Sequence, residues 1–105
     1  MDRKTVLAEF VKKDPEDPFP RYGLAMAYRD EGDFAGAQSH FEVLLERFPD
    51  YLATYLMAGN NLLSLGRPED AASVYRRGIE VSTSGGDTHT RSELEAALAE
   101  LDGSE

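Results

Sequence analysis

The sequence predicts an all-α protein assembled from antiparallel helix hairpins, about six helices in 105 residues. Three observations predict it. The landmarks of the stretch Leu24 to Pro49 return 34 residues later: Leu24, Ala25, Tyr28, Gly32, Ala37, Phe41 and Leu45 recur as Ala58, Gly59, Leu62, Gly66, Ala71, Tyr75 and Ile79, and only Pro49 is lost, to Thr83. Self-similarity at a fixed period of this size marks a repeat array. Within each copy the apolar residues recur three and four positions apart, the spacing of one helix face. Glycines and prolines fall between those periodic runs, where helices stop and start.

Residues 2–13 read as a helix with Val6, Leu7, Phe10 and Val11 on one stripe and a Glu9–Lys13 pair on the wet side. Shifting the repeat back by one period places this helix as the second half of a unit lacking its first, so it is expected to cap the next unit. Asp14-Pro15-Glu16-Asp17-Pro18 cannot continue it. Residues 18–31 form the next helix, with Pro18 and Pro20 in its first turn and Gly32 as its left-handed stop. Asp33 is the expected N-cap of helix 34–47. Asp50 is the expected cap of helix 51–65, which Gly66 ends. Pro68 opens helix 68–82, with Glu69 and Asp70 at the positive end of its dipole.

Ser82-Thr83-Ser84-Gly85-Gly86 reads as a loop by composition. Helix 88–101 follows, capped by Asp87 or Thr88, with Leu94, Leu98 and Leu101 as a narrow apolar stripe. A strict period would bury His89, Ser92 and Glu93. Allowing two extra residues in the loop moves Leu94 and Leu98 onto the positions of Ala58 and Leu62, and that register is the one expected. Glu93, Glu95 and Glu100 then form a charged outer side, and residues 102–105 fray.

The order of Leu24, Ala25 and Tyr28, then Gly32, then Ala37, Phe41 and Pro49, resembles the tetratricopeptide repeat, a helix-turn-helix unit of the same period. Tyr55, Gly59, Gly66, Ala71, Tyr75 and Ile79 fit the same pattern in a second unit. Arg21 stands where an aromatic is usual, and Gly78 where a small alanine is usual, which weakens single contacts. The resemblance implies a right-handed α-solenoid: a half-repeat capping helix in 1–15, repeats in 18–51 and 52–85, and a solvating helix with its tail in 86–105. Leu24, Ala25, Tyr28, Ala37, Phe41, Gly59, Leu62, Ala71 and Tyr75 are its packing residues, small ones admitting close approach and large ones filling the next layer.

Composition narrows the function. A hydrophobic content of 41% and a charged content of 30% belong to a globular chain rather than a disordered one. No apolar run approaches a membrane span and the opening residues lack the apolar core of a secretory signal, so a cytoplasmic address is expected. There is no cysteine, which removes disulfides and thiolate ligands. A net charge of −9 opposes nucleic acid and anionic membrane as partners. Lysines occur only at Lys4, Lys12 and Lys13, so the acidic face suits a salt-rich medium, a basic partner or plain solvation.

No constellation for catalysis is visible. His40 is expected on a wet face near Asp33, Glu42 and Glu46, and His89 precedes the last helix; neither has a companion nucleophile or ligand set. Gly85-Gly86 lacks the strand and the Gly-Lys-Ser/Thr of a phosphate loop. The expectation is a non-enzyme with no cofactor and no metal, acting through a surface. In the family it resembles, four positions of each unit's first helix face a concave groove. Carried over, they are Phe19, Tyr22, Met26 and Arg29, then Ala53, Leu56, Asn60 and Leu63.

Such an apolar strip on an acidic chain implies a protein or peptide ligand, with Phe19 and Tyr22 as anchors and Asn60 bonding its backbone. Burial of the strip in a homodimer is the alternative, and an enzyme subunit is less favoured. A family subset grips chaperone tails with lysines and asparagines in the groove. Tyr22 and Met26 replace two of these and only Asn60 matches, which disfavours that ligand.

Overall fold

A computed structural model of the chain describes residues 2–103. Six helices and, among the described residues, no strand make up the fold: α1 (Arg3–Lys13), α2 (Pro18–Asp30), α3 (Phe34–Arg47), α4 (Ala53–Ser64), α5 (Pro68–Gly85) and α6 (Thr88–Gly103). They divide into two compact units, Met1–Tyr51 and Leu52–Glu105.

In the first unit α2 pairs with α3, and α1 lies against α2. Asp17 starts α2 by accepting the Phe19 amide at 3.0 Å, a cap the prolines had hidden in the sequence. Asp33 accepts the Gly36 amide at 2.9 Å and starts α3. The core is Leu24, Ala25, Ala27, Ala37, Phe41, Leu44 and Leu45. Tyr28, expected to fill the layer beside Phe41, is only half buried, because its ring is shared between His40 and the Lys4 ammonium. The α1 stripe is also narrower than its periodicity implied. A helix with one neighbour covers one edge of its stripe, so Leu7 packs at Gly23 while Val6 and Phe10 stay exposed. Glu9 pairs with Lys12 at 3.6 Å rather than with Lys13, and Lys4–Glu31 and Arg3–Asp30 tie α1 to the end of α2.

In the second unit α5 packs on α4 and α6. Tyr55, Ala58, Leu62, Ala71, Ala72, Tyr75 and Leu94 are its buried apolar residues, with Gly59 and Gly78 among them. Gly78, expected to loosen a contact, instead permits one: a Cβ there would stand 2.6 Å from the Tyr55 Cβ and 2.8 Å from Leu94 Cδ1. Leu94 in this setting agrees with the shifted register of α6. Asp50 does not cap α4, which begins at Ala53 behind a helical Leu52 with no side-chain cap. The expected loop 82–86 is largely helix: α5 runs to Gly85, its Ser82 and Thr83 hydroxyls donating back to the Ile79 carbonyl at 3.1 and 2.7 Å. Asp87 is the residue that starts α6, accepting the Thr90 amide. The helix continues through Asp102 and Gly103, where fraying was expected; Ser104 and Glu105 lie outside the described residues.

Three turns share one construction. Gly32, Gly66 and Gly86 have φ of 81°, 73° and 74°, and in each the glycine amide and the following amide bond carbonyls of the preceding helix. Asp33 donates to Tyr28, Arg67 to Leu62 and Asp87 to Ser82, at 3.0, 2.9 and 2.9 Å. Positive φ strains any residue with a Cβ, so the repeat period is set by where glycine occurs.

Candidate functional site

Helical spacing aligns Phe19, Tyr22, Met26 and Arg29 along α2. Phe19, beside the helix start, is 67% exposed; Tyr22, Met26 and Arg29 are half buried. Tyr22 is held in edge-to-face contact with Phe41 at 6.5 Å and with Tyr51 at 5.7 Å, contacts that fix a ring without hiding it. Burial, with the nearby Tyr51 hydroxyl, raises its pKa. The unit therefore offers one free aromatic and one rigid aromatic, with Arg29 paired to Asp30 at 3.4 Å beyond them.

On α4 the corresponding residues are Ala53 and Leu63, both exposed, and Leu56 and Asn60, half buried. Asn60 is not a free amide. Its Oδ1 accepts the hydroxyl of the buried Tyr75 at 2.5 Å, which leaves the two amide hydrogens as its donors. Sequence reasoning missed this bond because the two residues belong to different helices. It also missed the pocket beside them, about 350 Å³, to which α6 contributes Ala97, Glu100 and Leu101. Glu100, exposed as a charged outer side requires, also lines that pocket.

His40 is not the wet residue expected from its helix alone. Arg21 of α2 donates to its Nδ1 at 3.2 Å and Tyr28 lies against its ring at 5.3 Å, replacing the carboxylates expected as company. An arginine only donates, so Nδ1 accepts and Nε2 carries the proton. Burial first, and the Arg21 cation second, hold the His40 pKa below the usual imidazole value. The unfolded chain therefore binds more protons between the depressed value and the ordinary one, and stability falls as pH falls through that window. Urea unfolding at stepwise lower pH is expected to show this loss in the wild type and a flatter profile in His40→Gln.

His89 is exposed beside Glu93 at 3.5 Å. Among the described residues no group of three or more histidine or carboxylate side chains is placed to hold a metal ion, and no helix is long and apolar enough to cross a membrane.

Residues 28–82 match the tetratricopeptide repeat family. A TPR repeat-containing protein of Pseudomonas aeruginosa is 26% identical over 96 residues, 91% of each chain. A tetratricopeptide repeat domain protein from Salinibacter ruber, solved in solution, superposes with a TM-score of 0.83 at 40% identity, over 88% of this chain and 93% of its own. The first repeat domain of Spaghetti, solved with the HSP90 peptide SRMEEVD, superposes with a TM-score of 0.70 at 24% identity, over 91% and 77%.

Proposed function

Because the chain belongs to the tetratricopeptide repeat family, a fold that commonly mediates protein–protein interaction, we propose that it is a non-catalytic module that binds a peptide or a helix through outward helix faces, that of α2 in the first unit and that of α4 in the second. The observation that carries this reading is Tyr22. Its ring is braced by Phe41 and Tyr51 yet part of it stays accessible, and Phe19 stands exposed one turn away. Rigid aromatics beside an exposed apolar residue supply contact area at little entropic cost. On α4, Leu56 and Leu63 are the matching apolar contacts and the Asn60 amide hydrogens suit a peptide carbonyl.

The Spaghetti domain, of similar fold, is bound to an HSP90 peptide, which supports a peptide as the kind of ligand. The ligand of this chain is expected to differ from an acidic tail, since Tyr22 and Met26 offer no cation. A cytoplasmic setting is part of the proposal. Capture with the wild type is expected to retain proteins that Tyr22→Asp/Leu56→Asp loses, while circular dichroism confirms that the variant is folded. Retention of the same proteins by both would sink the reading. A dimer in sedimentation that the same substitutions dissociate would assign the faces to self-association.

A further inference from the structure

The pocket of the second unit is about 350 Å³ and is lined by Asn60, Leu63, Tyr75, Ala97, Glu100 and Leu101, enough to take one long side chain. Leu63, Ala97 and Leu101 give it apolar walls. Apart from the Asn60 amide hydrogens, the polar side-chain atoms of its lining are acceptors. Tyr75 spends its only proton on Asn60 Oδ1, so its oxygen has lone pairs left and nothing to donate. The Glu100 carboxylate only accepts. Its charge reaches the tyrosine, whose pKa is raised by burial and then by Glu100.

Asp70 pairs with Arg67, Glu95 with Arg91 and Glu93 with His89. Several described carboxylates of this unit have no ion pair, and Glu100 is the one among them that lines the pocket. Across residues 52–105, nine carboxylates face only four arginines, so the field around the pocket favours a cation.

We propose that this pocket receives the side chain of an arginine from a partner peptide, its stem against Leu63 and Leu101 and its guanidinium shared by Glu100 and the Tyr75 hydroxyl oxygen. Arginine fits better than lysine. Its planar group has five donors for acceptors that come from different helices, and it is more weakly hydrated than an ammonium. The inference rests on the reading of α4 as a partner-binding helix and names a residue the partner must carry.

The test uses the full chain, labelled with nitrogen-15, and the capped peptide Ac-Ala-Arg-Ala-NH2 beside its citrulline counterpart, which keeps the shape without the charge. The arginine peptide is expected to shift the Asn60 side-chain amide and the Ala97 and Leu101 backbone amides at millimolar concentration. Citrulline, or the Glu100→Gln variant, is expected to weaken binding roughly tenfold, the scale of one lost charge-assisted bond. Equal binding of both peptides, unchanged binding to Glu100→Gln, or shifts confined to other residues would overturn the proposal. If capture is lost in Tyr22→Asp/Leu56→Asp while the peptides give no response, the partner-binding faces stand and the arginine site falls. A response to arginine with unchanged capture would leave the pocket and discard the wider reading.

Discussion

Gly59→Ala is expected to destabilise the protein by about 2–3 kcal/mol, although alanine is the better helix former by about 1 kcal/mol. The added methyl would run into the Tyr75 ring, overlapping Cε1 and approaching Cδ1 and Cζ at 2.7 and 2.8 Å. That ring has nowhere to go. Tyr75 is 1% exposed and its hydroxyl is fixed on Asn60. The first unit avoids the problem with a smaller aromatic, since Ala25 and Phe41 occupy the positions of Gly59 and Tyr75. Urea unfolding measures the loss, and Gly85→Ala is the control: nothing lies within 4 Å of a Cβ there and Gly85 is the last residue of α5, so it should be neutral or stabilising by up to about 1 kcal/mol. A neutral Gly59→Ala would mean that the α4–α5 contact is looser than described.

Leu94→Ala is expected to cost about 3 kcal/mol, within the range of about 2–5 kcal/mol for removing a fully buried leucine. Leu94 is 0% exposed and is the one buried side chain of α6 among the described residues. It seats against Gly78, where the absent side chain leaves room for its Cδ1. The substitution removes the main anchor of a helix whose other leucines, Leu98 and Leu101, are half covered. Hydrogen exchange should therefore accelerate in α6 more than in α4, while Leu98→Ala should have a smaller effect on both. Equal effects of the two substitutions would contradict the placement of α6.

What the sequence made legible was whatever the chain encodes locally or by repetition. Gly32 and Gly66 announced the turns because only glycine takes their backbone without strain, and the period between them gave two hairpins of one family. Asp33 and Asp87 were readable as caps because a cap bonds an amide three residues on. The stop of α5 was not readable: Ser82 and Thr83 look like loop residues, yet their hydroxyls bond back into the helix and Gly86 is the residue that ends it. The surroundings of His40, Asn60 and Glu100 were not legible, for one shared reason. Their environments are supplied by Arg21, by Tyr75 and by the seating of α6, partners that lie on other helices and leave no periodic trace. The faces of α2 and α4 could be named from the resemblance alone, but not how Tyr22 is braced or that half of Asn60 is already engaged.

The bond between Tyr75 and Asn60 makes the interior audible from outside. A guest that draws the amide toward itself must tug on a phenol whose ring is buried, and with no tryptophan in the chain the ultraviolet band belongs to five tyrosines. Occupancy of the α4 face would thus register as a small displacement of that band, a signal needing no label and absent from Tyr75→Phe.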